Sequence, residues 1–304
     1  MDRLYDAPDE QGSGLTAEIS PATPSTVGGR LRLVESPRNA ARAIVQYFPA
    51  NYVQDTLDIL QARNAFYEAQ GNRSILACAI ALAEALMRVL EGWGLKRNFP
   101  AMPGLRDKED VVRCLRVLRE PLAKLAELSM NPPRLHGRKR VAPGPLYTPD
   151  ELDQAVLTLL LALADGVFKR CTQATYVMKA LLLLTGYTVA FDGRVKKGAT
   201  LAGLRGMYRG FPVASIRESS TTYASLAILT LPYLVGEAWY AEPEVFEELI
   251  AEVGRHSAWA SVVSMLLHPA RLFDILLFVQ GKHGLVLLRY EGTGGWPWYE
   301  SLDR

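Results

Sequence analysis

Apolar side chains recur at intervals of three and four residues along most of this chain. The segment from Ser74 to Trp93 is the clearest example, with polar Glu84 and Arg88 on its opposite face. Its apolar positions are Ile75, Ala79, Leu82, Ala83, Leu86, Met87 and Leu90. This spacing places the apolar groups on one side of a helix. We therefore predict an amphipathic helix packed into a core.

Local signals mark where several other helices begin. Ser36 followed by Pro37 is a favourable N-cap and first helical position. Thr148 and Glu151 have the spacing of a capping box. In this motif the side chain of each residue accepts a hydrogen bond from the backbone amide of the other. Asp107 is placed to cap a further helix, which we expect Pro121 to end or kink because proline lacks the backbone N–H.

The second half of the chain continues the helical pattern. A helix is predicted from Thr172 to Leu184, ending near Gly186, with residues 187–191 as a short buried connector. Further helices are predicted at 220–239, 243–254 and 258–267. The charge-free stretch 219–236 begins with serines and threonines, contains a proline and is flanked by acids. These features favour a buried core helix over a membrane span.

The region from Arg271 to Tyr290 has two interpretations. It forms either a terminal helix with Gly281 as its C-cap, or a hairpin of 275–280 with 285–290 across Gly281–Gly284. We favour the helix because helices surround it.

These patterns predict an all-α, multi-helix globular protein with two helical subdomains and, if the second interpretation holds, a short C-terminal hairpin. The predicted divisions are a disordered acidic tail at 1–30, an N-terminal helical subdomain at 31–130, a basic linker or loop rich in proline and glycine at 131–149, a C-terminal helical subdomain at 150–286 and an aromatic tail at 287–304.

Composition narrows the class of protein further. The chain has 304 residues, of which 49% are hydrophobic, and a formal net charge of +2. This excludes a disordered protein, a fibre and a uniformly basic nucleic-acid coat. The N-terminus lacks the apolar core of a secretory signal, and the three cysteines are far apart. We therefore predict a cytoplasmic protein with reduced thiols and no membrane partner.

The small net charge hides opposed blocks. Residues 193–217 contain six basic residues and no acid, whereas residues 218–254 contain seven acids and no lysine or arginine. The basic block is either a contact surface for phosphates or a solvated face that pairs with the acidic helix 242–252. Under the first alternative, DNA or RNA is the partner. The nucleic-acid-binding residues are then Arg194, Lys196, Lys197, Arg205 and Arg209.

Common catalytic motifs are absent, including a nucleophile elbow, a phosphate-binding loop and a zinc-protease signature. The four histidines do not lie at metal-ligand spacing. No cofactor or metal is predicted.

Residues 172–280 resemble the helix-hairpin-helix DNA glycosylase superfamily and its divergent bacterial relatives. The resemblance rests on Lys179 within an apolar helix, a short connector, and Asp192-Gly-Arg-Val195 leading into the next helix. The later Arg271-Leu-Phe-Asp274 is similar to the closing helix of some relatives. The glycine-containing hairpin that family members place before the lysine is absent, and Ala174 to Met178 stands there.

The resemblance implies catalytic roles for two residues. Lys179 corresponds to the lysine that attacks a sugar carbon, and Asp192 to the aspartate that stabilises the charge formed as a base leaves. The alternative for Asp192 is an ordinary helix N-cap. A flipped base also needs an aromatic pocket. The aromatic residues available for it near this motif are Tyr176, Tyr187, Phe191 and Tyr223.

A second function is also open, namely a non-enzymatic helical interaction module. In this case apolar surfaces and the acidic helix 242–252 dock a protein partner or a second copy of the chain. The aromatic run from Trp296 to Tyr299 supports this reading, because such residues are enriched at interfaces.

Overall fold

The structure is a computed structural model, which describes residues 29–95, 104–136, 139–144, 147–204 and 210–292. Within those ranges the protein is all-α, as predicted, with thirteen α-helices and three short pairs of antiparallel strands. The first-half helices are α1 (Pro37–Tyr47), α2 (Ala50–Glu68), α3 (Asn72–Leu90) and α4 (Lys108–Leu128). The second-half helices are α5 (Pro149–Val167), α6 (Ala174–Thr185), α7 (Gly193–Leu201), α8 (Val213–Glu218), α9 (Tyr223–Ala241), α10 (Pro243–Gly254), α11 (Ser257–Ala260), α12 (Val263–Leu266) and α13 (Pro269–His283).

The strands form three separate pairs. β1 (Arg30–Leu33) pairs with β6 (Leu288–Glu291), β2 (Gly104–Leu105) with β5 (Phe168–Lys169), and β3 (Arg134–His136) with β4 (Lys139–Val141). A five-residue π-helix, Glu91–Leu95, extends the end of α3. Because β1, β2, β3 and β4 lie in the first half of the chain, that half is not helical throughout.

The predicted caps are confirmed in two of three cases. Ser36 accepts a hydrogen bond from the Asn39 amide at the start of α1, and Thr148 with Glu151 forms the capping box of α5. Asp107 stands at the start of α4 but makes no capping bond; it pairs instead with Lys169 on β5, with 2.9 Å between the carboxylate oxygen and Nζ.

Pro121 does not end its helix, because α4 continues to Leu128. Proline removes the amide that would bond to the carbonyl four residues earlier, at Val117. Val117 has 74% of its surface exposed, so that side of α4 is open to water. Water at an open helix face can satisfy the released carbonyl, which reduces the cost of the proline.

The charge-free stretch lies within and just before α9, most of whose residues are buried, as predicted. No helix in the described part of the chain is long and apolar enough to cross a bilayer. The helix predicted at 258–267 is two short helices, α11 and α12.

Of the two interpretations for residues 271–290, the terminal helix is confirmed and the hairpin is wrong, but the predicted C-cap at Gly281 is wrong as well. α13 runs past Gly281 and ends at Gly284, which adopts φ +72°, a conformation that glycine reaches without strain. The following strand pairs with β1, so that Leu33 lies opposite Leu288. The rejected hairpin placed a strand at 285–290, but nothing in the sequence indicated a partner strand at the other end of the chain.

Three predicted segments lie partly or wholly outside the described residues. These are most of the acidic tail, the aromatic run Trp296–Tyr299, and the part of the basic block at 205–209, which includes Arg205 and Arg209. The segment predicted as a basic linker contains the β3–β4 pair. The division into two subdomains stays a prediction.

Helices α7 and α13 cross with almost no space between their backbones. A Cβ atom on Gly198 would lie 1.9 Å from the Leu277 carbonyl oxygen, and one on Gly281 would lie 1.9 Å from the Arg194 carbonyl oxygen. Only glycine fits at either position. Beside the crossing, the buried Gln280 donates to the carbonyls of Gly198 and Leu288 and accepts from the amides of Leu287 and Leu288. This contact fixes α7, α13 and β6 relative to each other.

We expect Gly281→Ala to push α7 away from α13 and to lower the free energy of unfolding by about 1–3 kcal/mol, the usual cost of overpacking. Denaturant unfolding measures this change. Gly193→Ala is the matched control, since nothing lies within 4 Å of its added Cβ. Equal stability of the two variants would contradict the close crossing.

Candidate functional site

Lys179 and Asp192 meet because the chain reverses between α6 and α7. α6 ends at Gly186, whose φ of +72° turns the chain into the buried connector 187–191. Asp192 then begins α7. The Lys179 Nζ lies 3.2 Å from the Asp192 Oδ2, and the side chains keep only 10% and 22% of their surface exposed.

Asp192 combines the two roles that the sequence left as alternatives. Its Oδ1 accepts hydrogen bonds from the amides of Arg194 and Val195, both at 2.9 Å, so it is an N-cap. Its Oδ2 faces Lys179. The carboxylate is therefore held in one orientation by the cap while its other oxygen carries the ion pair.

A second ion pair, Arg271 with Asp274 on α13, lies behind the first. The Arg271 Nη1 donates to Asp274 at 2.9 Å, and its Nη2 donates to Thr56 on α2 at 2.8 Å. Asp274 also accepts from the Ala190 amide at 3.0 Å. Burial raises the pKa of Asp274 to about 6, although the neighbouring Arg271 opposes this rise. The Arg271 Nε is buried without a partner in the described part of the chain.

Aromatic rings surround the Arg271 guanidinium. Its Cζ lies 5.8 Å from the Phe48 ring centre and 5.5 Å from that of Trp93. The Trp93 ring centre is 4.9 Å from that of Tyr52, and its Nε1 donates to the Asp55 carboxylate at 2.8 Å. Cation–π contact of this kind is stabilising and is stronger where water is excluded.

The two ion pairs and the rings enclose one cavity. Its charged lining is Lys179, Asp192, Arg271 and Asp274. Its aromatic lining is Phe48, Tyr52, Trp93 and Phe278. The volume is about 20 Å³, which is enough for about one water molecule. In this conformation the cavity does not admit a larger ligand.

A basic surface lies next to the cavity, where α7 crosses α13. We call it the α7–α13 surface and define it by the exposed residues Arg194, Lys197 and Lys282. The Arg194 Cζ and the Lys282 Nζ lie 5.1 and 5.9 Å from the centre of the Phe278 ring, which also lines the cavity. None of the three cations forms an ion pair with another described residue.

The segments that form this crossing contain no acid: residues 193–204 and 275–290 carry only basic charges. Neighbouring like charges raise the local positive potential. An anion that binds here relieves that repulsion.

The structure brings together some of the predicted site residues and separates others. Lys179 and Asp192 line one cavity, and Arg194 and Lys197 are exposed beside it. Lys196 is half-buried, with its Nζ 5.7 Å from the centre of the Phe211 ring, and burial lowers its pKa. Arg205 and Arg209 lie outside the described residues.

The aromatic residues expected near the motif do not line the cavity. Phe191, Phe211 and Tyr223 stack on one another, with ring centres 4.9 and 5.9 Å apart, and Tyr187 is buried in the core. Tyr187 and Phe191 are core residues because the connector that carries them is itself buried, whereas Tyr223 on α9 is half-buried.

Sequence reasoning missed the aromatic lining that comes from the first half of the chain. Phe48, Tyr52 and Trp93 lie far from the motif in sequence. A signal for Lys179 did exist, since a lysine in the middle of an apolar helix needs a partner. No comparable signal marks the three rings.

The pairing expected between the basic and acidic blocks is not the one found in the described residues. Glu242 at the start of α10 pairs with Arg30 and Arg32 of β1, and Arg217 pairs with Asp165 of α5. The acidic helix thus has cationic neighbours from the opposite end of the chain.

Comparison with known proteins gives no relative from which a function can be transferred. No family model matches the chain, and neither a curated protein nor a solved structure matches it significantly.

Proposed function

We propose that this protein binds nucleic acid on the α7–α13 surface and holds one nucleotide over the adjacent cavity. The observation that carries the proposal is the position of Phe278, which lies beneath Arg194 and Lys282 and also lines the cavity of Lys179 and Asp192. A cationic surface and a charged, aromatic cavity therefore share one wall.

Each part suits a different part of a nucleotide. Lysine and arginine neutralise phosphates, and this term supplies most of the non-specific affinity for nucleic acid. Aromatic and guanidinium faces suit bases taken out of a stack. The chain lacks a uniformly basic coat, so binding depends on a few cations at one place.

We expect Lys197→Ala and Lys282→Ala each to weaken binding and to reduce the slope of log affinity against log salt by about 0.7–0.9, the value for one lost phosphate contact. Fluorescence polarisation with labelled single-stranded and duplex DNA and RNA, over a salt series, measures both quantities.

The control for these variants is Arg255→Ala. Arg255 is an exposed cation whose partner is Glu252 on α10, away from the α7–α13 surface. The Arg255→Ala variant should leave unchanged both the affinity and the slope of log affinity against log salt. Absence of salt-sensitive binding to every probe, or an equal loss in the control, would remove the proposal.

The Lys179–Asp192 pair favours a second candidate function, cleavage of the bond between a base and its sugar. A fixed carboxylate in a site that excludes water stabilises the positive charge that develops on the sugar as the base leaves. Lys179 in its neutral form is a nucleophile for the same sugar carbon. Their ion pair then has to open or transfer its proton before the lysine acts.

Asp192→Asn separates the catalytic role from the structural one, because asparagine caps helices about as well as aspartate. We expect the variant to stay folded and to lose base release about 100-fold or more, the scale of removing one electrostatic group. Chromatography of bases released from strands that carry deaminated or N-alkylated bases measures the rate. No release by the wild type across that panel, or full activity in Asp192→Asn, would show that this candidate is wrong.

A further inference from the structure

The indole of Trp93 occupies a slot whose walls are well suited to a nucleobase. One wall is the Tyr52 ring, with 4.9 Å between ring centres and ring planes inclined by 33°, and another is the Arg271 guanidinium, whose Cζ lies 5.5 Å from the centre of the indole ring. At the edge, the Asp55 carboxylate accepts the indole N–H at 2.8 Å. Aromatic stacking, guanidinium stacking and an edge hydrogen bond are the contacts by which proteins hold unstacked bases.

The occupant has the shape of a purine. An indole and a purine are both planar, with a fused five-membered and six-membered ring, and the indole N–H donates where a purine amino group would donate. A carboxylate accepts hydrogen bonds and does not donate them when ionised. Asp55 therefore suits a base with an amino group, namely adenine, guanine or cytosine, and the fused-ring shape of the slot's occupant selects the two purines among them.

Trp93 lies on a short, irregular helical element, unlike the residues that form the walls of its slot. It lies on the π-helix Glu91–Leu95 between Gly92 and Gly94, and nothing lies within 4 Å of a Cβ placed on Gly92. Single-turn π-helical segments are rare and occur frequently at functional sites. Tyr52, Lys179 and Arg271, by contrast, are on regular helices.

The size of the cavity requires a displacement before any base enters. The space beside Trp93 is about 20 Å³, room for about one water molecule. Replacement of the indole by a base of similar size needs no other wall to move. The walls that remain are then Tyr52, Arg271 and Asp55.

We propose that Trp93 is a placeholder for a purine base: in the bound state the indole leaves the slot, and the purine stacks between Tyr52 and Arg271 with its amino group on Asp55. The inference rests on the proposed function, because the base arrives on a strand bound at the α7–α13 surface. Beyond that function, it specifies the class of base that is bound and says that Trp93 fills the slot in the free protein.

The placeholder role predicts that removal of the side chain improves binding, which a purely structural role does not. We expect Trp93→Ala to bind a single strand containing one 2-aminopurine at least about fivefold more tightly than the wild type, the lower end of the effect of stacking one base. A strand with an abasic site at that position should bind both proteins equally. The fluorescence of 2-aminopurine reports whether the base is stacked.

Two further variants sharpen this comparison. Trp239→Ala removes a partly buried tryptophan that stacks on Phe246, away from the slot, and should leave both affinities unchanged. The double variant Trp93→Ala/Asp55→Asn should show a smaller gain in affinity than Trp93→Ala. This reduction should occur for the purine strand only. A pyrimidine at the same position should gain less than the purine, and an equal gain would show that the assignment to purines is wrong.

The wild-type protein provides the second measurement, in which a conservative variant serves only to assign one resonance. With 5-fluorotryptophan incorporated, the Trp93 resonance is assigned by its loss in Trp93→Phe. It should move to a solvent-exposed position when the purine strand is added, and should stay in place with the abasic strand. A Trp93 resonance unchanged by the bound purine strand would overturn the proposal.

The outcomes separate this inference from the proposed function. Salt-sensitive binding of every strand, with no effect of the base on Trp93, would retain the α7–α13 surface and reject the slot. Displacement of Trp93 by adenosine or guanosine monophosphate alone, with no binding of strands, would retain the slot and reject the nucleic-acid interface.

Discussion

The buried ion pair between Arg271 and Asp274 is the contact on which the geometry of the site depends. Asp274 accepts a hydrogen bond from the Ala190 amide, and Arg271 donates one to the Thr56 hydroxyl. The pair therefore joins α13 to the connector 187–191 and to α2. Loss of one partner from such a pair leaves an unpaired charge in the interior and costs about 3–5 kcal/mol. Asp192 follows Ala190 by two residues, so its place beside Lys179 depends on this pair.

The charges of α13 are arranged differently on its buried side and on its outer side, where it crosses α7. Inside, each charge of α13 has a partner: Arg271 pairs with Asp274. Outside, Arg194, Lys197 and Lys282 lie on segments without an acid. Two glycines allow the helices to approach closely enough to bring these cations together. A net charge of only +2 is therefore compatible with a locally strong positive potential.

Local features of the sequence predicted local features of the structure. The caps at Ser36 and Thr148, the helix end at Gly186 and the cap at Asp192 depend on neighbours within a few residues, and each was predictable. The continuation of α4 through Pro121 depended on the exposure of one helix face, which is a tertiary property. The resemblance to DNA glycosylases directed attention to Lys179 and Asp192, but their catalytic roles stay a prediction.

The parts of the site that were not predictable come from distant segments. β1 pairs with β6 across nearly the whole chain, and the aromatic walls come from α2, the end of α1 and the π-helix after α3. Hydrophobic spacing identifies these residues only as apolar positions on a helix. It does not say which of them meet the Lys179–Asp192 pair, because that depends on how the helices pack.

The central claim is that nucleic acid contacts this protein where α7 crosses α13. Ultraviolet cross-linking of the bound strand, followed by mass spectrometry of the peptides, tests it most directly. The account predicts cross-links in residues 193–204 and 275–290. Cross-links confined to other basic segments, such as β3 (Arg134–His136) and β4 (Lys139–Val141), would contradict it.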